Sequence, residues 1–264
     1  MRKLTVLLMA GVACAVALGD VPGSITTTSS ETHKGNIRWS TREKAYIVTK
    51  GNVELQVKEG DVAVLDIDKP AGYDAAVDQV QKGQGAAAIP ALQKIVSGYQ
   101  HLQWDKSAGR YLAEAYIGSG KAEEALKACK SVISGEPSAA YRGELAPAYW
   151  NALLALNKTS ELESALAKAA KSGDRFASGA ALILRGDIVW KAGNESADAA
   201  KKALTDGYLR VVYLYNDAEV AARLQPEALY KAARCFDKLQ QSGRADMMRT
   251  TLKKSYASSP WAAK

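Results

Sequence analysis

Few residues in this chain have the types and spacing for covalent or proton-transfer chemistry. Two histidines are present, His33 and His101, and three cysteines, Cys14, Cys129 and Cys235. General acid–base catalysis needs a side chain within hydrogen-bond reach of the proton it moves. His33 lies in a Ser/Thr-rich stretch and His101 follows a helical pattern, and neither sits at motif spacing from a nucleophile. The chain has no HExxH, Cys-x-x-Cys or Gly-x-Ser-x-Gly and no P-loop lysine. Gly83-Gln84-Gly85 is too short for a phosphate loop and reads as a turn between helices. Glu123 and Glu124 are chain neighbours, which do not share a helix face. They suit a first helical turn, where carboxylates complement the dipole. No catalytic, cofactor-binding or metal-ligating residue is assigned, and the chain is read as non-enzymatic.

Composition narrows the partners. Among 264 residues the formal net charge is +7, and 47% are hydrophobic. No dense Lys/Arg run with interleaved aromatics is present, which argues against nucleic-acid binding. "MRKLTVLLMAGVACAVALGD" has a basic start at Arg2 and Lys3, an apolar run from Leu4 to Leu18, and small residues at Ala17 and Gly19. That is a secretion-signal pattern, too short and too abruptly ended for a membrane span. Cleavage would leave a mature chain starting near Asp20, with the charge reduced to +5. Cys14 offers a rival lipidation site, but Gly11 stands where a branched aliphatic residue is usual. Membrane contact is expected only if Cys14 is lipidated.

The elements are read from periodicity. Residues 20–33, "DVPGSITTTSSETH", have none and read as a flexible lead or an added edge strand. From Lys34 to Pro70 the period is two. "NIRWS", "AYIVT", "VELQV" and "VAVLDI" read as a four-stranded antiparallel β-module, with Val53, Leu55 and Val57 on one face. Lys50-Gly51-Asn52 marks a hairpin turn. By pattern alone the module loosely resembles small SH3-like or Sm-like domains. Residues 71–264 are helical in period, with Pro147 and Pro226 placed as first-turn residues.

Helix pairs recur along residues 71–264, and "YLAEAYIGSGKAEEALKACKSVISGEP" is the clearest pair. It fits the tetratricopeptide (TPR) pattern, with Leu112-Ala113, Tyr116, Ala125 and Pro137 in their slots. Gly109 replaces the usual Trp and Cys129 the usual Phe. Weaker copies carry Ala75-Ala76, Gly83, Ala88 and Leu92; Tyr149, Ala152-Leu153, Ala165 and Ala169; Gly186 and Gly193; and Leu229, Ala232-Ala233, Phe236 and Ala245. The fourth copy loses register near Ala199, and about ten extra residues, including "YNDAEVAARL", separate it from the fifth. The chain resembles TPR proteins, and its tail is similar in style to Tol–Pal-associated and outer-membrane-assembly members.

That resemblance implies a mainly α fold: a right-handed α-solenoid of about five hairpins whose concave face binds a protein or peptide. The first helix of each hairpin lines such a face. The candidate contacts are therefore Tyr73, Arg110, Glu114, Trp150, Asp187, Trp190, Tyr230 and Arg234. In stacked repeats Cys129 and Cys235 are about three units of ~34 residues apart. That exceeds the ~7 Å a disulfide allows, so two buried free thiols are expected. The implied role is an envelope scaffold, in the periplasm or at the outer membrane of a Gram-negative-type bacterium, with a lipid-anchored assembly subunit as the alternative. The β-module could cap the first hairpin or make its own contact. A glycan-binding or hydrolytic use of Arg38, Trp39, Arg42 and Tyr46 is the remaining reading. Mass spectrometry of the mature protein is expected to find an N-terminus near Asp20; a diacylglycerol-modified Cys14 would replace the free-scaffold reading with the anchored one.

Overall fold

The computed structural model describes residues 20–264; the signal-like segment and Cys14 lie outside them. The described chain divides into two compact units, one ending at Pro137 and one running from Ser138 to Lys264.

The first unit opens with five strands: β1 (Val21–Thr27), β2 (Thr32–Ser40), β3 (Ala45–Lys50), β4 (Val53–Lys58) and β5 (Val62–Ile67). Their order is β4-β3-β2-β1-β5, all antiparallel. The expected strands are β2 to β5. The expectations of four strands and of a flexible lead over 20–33 are corrected by β1, which lies inside the sheet. It pairs Val21 with Ile37 on one side and Gly23 with Ile67 on the other. Its polar threonines hide it from a periodicity test, because only Val21, Ile25 and Thr27 turn fully inward. The stripe on β4 also fades: Val57 is buried, Leu55 half-buried and Val53 exposed.

A sheet of this size needs a cover to bury its apolar face. Here the cover is the segment after the second helix. Leu102 joins Ile25, Ile37, Tyr46, Val48, Val57 and Ile67 in one core, with Trp39, Tyr99 and Trp104 packed at its margin. The indole Nε1 of Trp104 donates to the Ile67 carbonyl at 2.9 Å, and the Tyr46 hydroxyl donates to the His101 carbonyl at 3.2 Å. The sheet therefore shares its unit with α1 (Tyr73–Gln81), α2 (Gly85–Gly98), α3 (Trp104–Gly118) and α4 (Ala122–Ile133).

The second unit holds α5 (Leu145–Ala155), α6 (Thr159–Lys171), α7 (Arg175–Ala192), α8 (Ala197–Ala203), α9 (Leu209–Leu214), α10 (Ala218–Lys238) and α11 (Ser242–Ser255). A π-turn, Leu204–Tyr208, joins α8 to α9. Taking α8 and α9 as one interrupted helix, the helices form five consecutive pairs. In the pair α3/α4, Ala108, Ala113, Ala125 and Cys129 are fully buried, and Gly120 turns the chain at φ +73°. Tyr116 reaches from α3 towards α2, where Gln93 donates to its hydroxyl at 2.7 Å. Pro147 lies in the first turn of α5, as expected. Pro226 does not open a helix: α10 begins at Ala218 and carries Pro226, buried, in its interior. The extra residues before the fifth pair thus lengthen a helix rather than forming a loop. Among the described residues no helix is long and apolar enough to cross a membrane.

Ile25 is fully buried on the interior strand β1. Ile25→Ala is expected to cost about 2–5 kcal/mol in urea unfolding, as core truncations do. A change below about 0.5 kcal/mol, the range of surface sites, would return residues 20–33 to a lead.

Candidate functional site

The expected contact residues all fall on the first helices of pairs, but their surroundings differ. Trp150 is fully buried on α5, and its Nε1 donates to the Ala140 carbonyl at 2.9 Å. Tyr73 is buried on α1, edge-on to Trp104 at 5.1 Å and to Tyr111 at 6.3 Å. Both side chains are packing elements, which corrects their expected exposure. A large ring beside small helix-contact residues fills the space those residues leave. Arg110 and Glu114 pair with each other on α3 at 2.8 Å, and the guanidinium lies 4.7 Å from the Tyr111 ring. Tyr230 packs on Trp261 at 5.3 Å, near the C-terminus.

Asp187, Trp190 and Arg234 come together. They line a cleft of about 220 Å³ with Lys191, Glu195, Tyr208, Lys231 and Cys235. Helix α7 supplies Asp187, Trp190 and Lys191, and α10 supplies Lys231, Arg234 and Cys235. Tyr208 ends the π-turn. A π-turn adds a residue to the helix and so re-aims the side chains beyond it. Here it presses Gly207 onto α7. A Cβ at Gly207 would sit 2.8 Å from the Leu182 carbonyl oxygen and 2.9 Å from Gly186 Cα. A Cβ at Gly186 would fall 2.6 Å from the Tyr208 ring. Two glycines permit that approach, and it delivers the Tyr208 hydroxyl to Asp187 at 2.7 Å.

The floor of the cleft is a hydrogen-bonded charge cluster. Lys231 Nζ lies 2.6 Å from Asp187 and 2.5 Å from Glu227. Burial alone would lower the Lys231 ammonium, but the two carboxylates outweigh it and hold it above the ordinary lysine value. Burial, reinforced by Asp187, raises the Tyr208 phenol. Burial pushes the Cys235 thiol up to about 12. At neutral pH the lysine is therefore charged, the phenol and thiol are neutral, and none of the three is an activated nucleophile. The rim is different. Arg234 is half-exposed, 6.0 Å from the Trp190 ring and in a loose 3.8 Å pair with Glu195. Trp190 itself is only 9% exposed, so the exposed guanidinium lies beside an enclosed ring; Arg and Trp are both enriched at binding hot spots.

Sequence reasoning missed Glu195, Tyr208, Glu227 and Lys231. The Glu227/Lys231 pair at i,i+4 spacing was a readable signal. Tyr208 left no readable signal, because the π-turn that aims it is not marked by any residue pattern. Cys129 and Cys235 are both buried free thiols, as expected. Of the β-module candidates, Arg38 pairs with Glu54 and Asp20, Trp39 packs on Tyr46 at 4.9 Å, and Arg42 is exposed in the turn between β2 and β3. Searches against family models, curated proteins and solved structures find no match to this chain.

The buried thiols make stability pH-dependent. Cys129 and Cys235 are raised from 9.0 to about 12 by burial. The unfolded chain therefore releases these protons first, so stability is full below about pH 9 and falls as pH rises towards 12. Urea midpoints between pH 7 and 11 are expected to decline above pH 9, and less steeply in a Cys129→Ala, Cys235→Ala double variant. Equal slopes in the two proteins would assign the decline elsewhere.

Proposed function

We propose that this chain is an exported, non-enzymatic, TPR-like scaffold of the cell envelope that binds a protein or peptide partner. In this reading the five helix pairs are TPR-like repeats of a right-handed α-solenoid. The cleft between α7 and α10 is its main contact site. The observation that carries the proposal is the meeting of Asp187, Trp190 and Arg234, on the first helices of adjacent pairs, around one cleft. The division of labour in the cleft supports it. Asp187, Tyr208, Glu227 and Lys231 satisfy one another and Trp190 is enclosed beside them, while Lys191, Glu195 and Arg234 stand exposed at the rim. A preorganised floor reduces the ordering cost of binding. The pattern of residues 1–19 supports export.

Photo-crosslinking from positions 191 and 234, both exposed and both lining the cleft, in native envelopes tests this reading. A discrete adduct is expected at both positions and none at the exposed Arg244. Arg234→Ala, which removes an exposed rim side chain, should weaken partner affinity roughly thirtyfold, the equivalent of about 2 kcal/mol, with the melting temperature unchanged. No adduct at either position, or unchanged affinity in Arg234→Ala, would remove the cleft from the binding surface.

A further inference from the structure

The sheet of the first unit ends at β5, and the outer edge of that strand is only partly closed. Asp68 N–H donates to the Pro22 carbonyl at 3.0 Å, and Ile67 stands opposite Gly23. By the alternation of an antiparallel ladder, Ile67 and Leu65 turn their N–H and C=O away from β1. At Ile67 two side chains occupy that edge. The N–H donates to Gln103 Oε1 at 3.3 Å, and the C=O accepts Trp104 Nε1 at 2.9 Å. These groups stand where a sixth strand would hydrogen-bond. At Leu65, one ladder step further, the outward N–H and C=O have no partner among the described residues. An unpaired strand edge is a template for an extended chain.

The cleft in front of Leu65 selects the charge of such a chain. It measures about 350 Å³ and is lined by Glu59, Asp105, Glu136, Lys106, Tyr46 and His101, among others. Asp105 is buried, and its two oxygens accept the backbone N–H groups of His101 and Lys106, each at 2.9 Å. Lys106 pairs with Glu136 at 2.7 Å. Three carboxylates thus face one ammonium, in a chain whose overall charge is positive. The Tyr46 phenol, raised first by burial, also feels Glu59, Asp105 and Glu136. Tyr46 and His101 give the cleft an aromatic wall, and Trp39, outside the lining, stacks on His101 at 4.5 Å. Such a wall favours cations.

We infer that the β5 edge is a second docking site, separate from the α7/α10 cleft. Its occupant is an extended peptide that pairs with Leu65 through its backbone and places a Lys or Arg side chain in the acidic cleft. Fluorescence polarisation with the full chain and labelled hexapeptides tests it. Alternating Val-Lys is expected to bind at least tenfold more tightly than alternating Val-Glu. N-methylation of every second amide is expected to abolish binding in one register and spare it in the other, because a paired strand turns only alternate amides to its neighbour. Glu59→Gln with Glu136→Gln should weaken Val-Lys about tenfold, with Glu59→Gln alone as the variant of choice if the pair lowers the melting temperature. Equal binding of the two peptides overturns the charge assignment. Indifference to N-methylation in both registers overturns the strand pairing and leaves simple attraction of cations. Concentration-dependent dimerisation in sedimentation, relieved by neither peptide, would give the edge to a second copy of the chain.

Discussion

Close approach of helix backbones is the constraint on which the helical architecture rests. The chain is rich in alanine and has only two phenylalanines, so small side chains are available at the helix contacts. They meet at Ala108, Ala113 and Ala125 in the first unit and at Ala152, Ala165, Ala232 and Ala245 in the second, all at most 5% exposed. Small contact residues bring the chains near enough for dense dispersion contact without voids. The larger side chains then have defined places: Tyr116 reaches towards α2, and Trp150 closes on the Ala140 carbonyl.

The cleft in the second unit is this constraint taken one step further. Where Gly207 meets Gly186, α7 and the π-turn approach more closely than alanine would permit. That contact places Tyr208 beside Asp187, and Asp187 beside Lys231. The buried ammonium is tolerable because two carboxylates neutralise it; alone it would carry a large desolvation penalty. A polar cluster in which every member is satisfied gives a fixed floor rather than a reactive one. The exposed polar groups of the cleft are therefore those of its rim, Lys191, Glu195 and Arg234.

In the first unit the comparable role belongs to the segment between α2 and α3. His101 and Gln103 adopt left-handed backbone, φ +62° and +68°, unusual for residues with a Cβ. Asp105 helps hold this geometry by accepting the His101 N–H. As a result Leu102 enters the sheet core while Gln103 and Trp104 cap the Ile67 backbone. The strand edge beside that cap ends in an acidic cleft because the same turn carries Asp105 and Lys106 to it.

The amino-acid sequence by itself determined most element types and boundaries. β5 and the turns at Gly51 and Gly120 stand where period and turn chemistry put them, because local patterns report which face of an element is buried. The small-residue pattern of α3/α4 was legible for the same reason, while the free state of both cysteines followed from their separation along the chain. Tertiary structure decided what depends on residues distant in the chain. Strand β1 owes its place to two neighbours rather than to its own alternation. Pro226 lies inside a helix because α10 begins eight residues earlier. Trp150, Tyr73 and Trp190 are all largely enclosed, yet only Trp190 lines the α7/α10 cleft, since packing and not spacing sets what each ring faces. The cluster of Asp187, Tyr208, Glu227 and Lys231 joins three separate helical segments through a backbone contact between two glycines, and no one-dimensional pattern records such a contact.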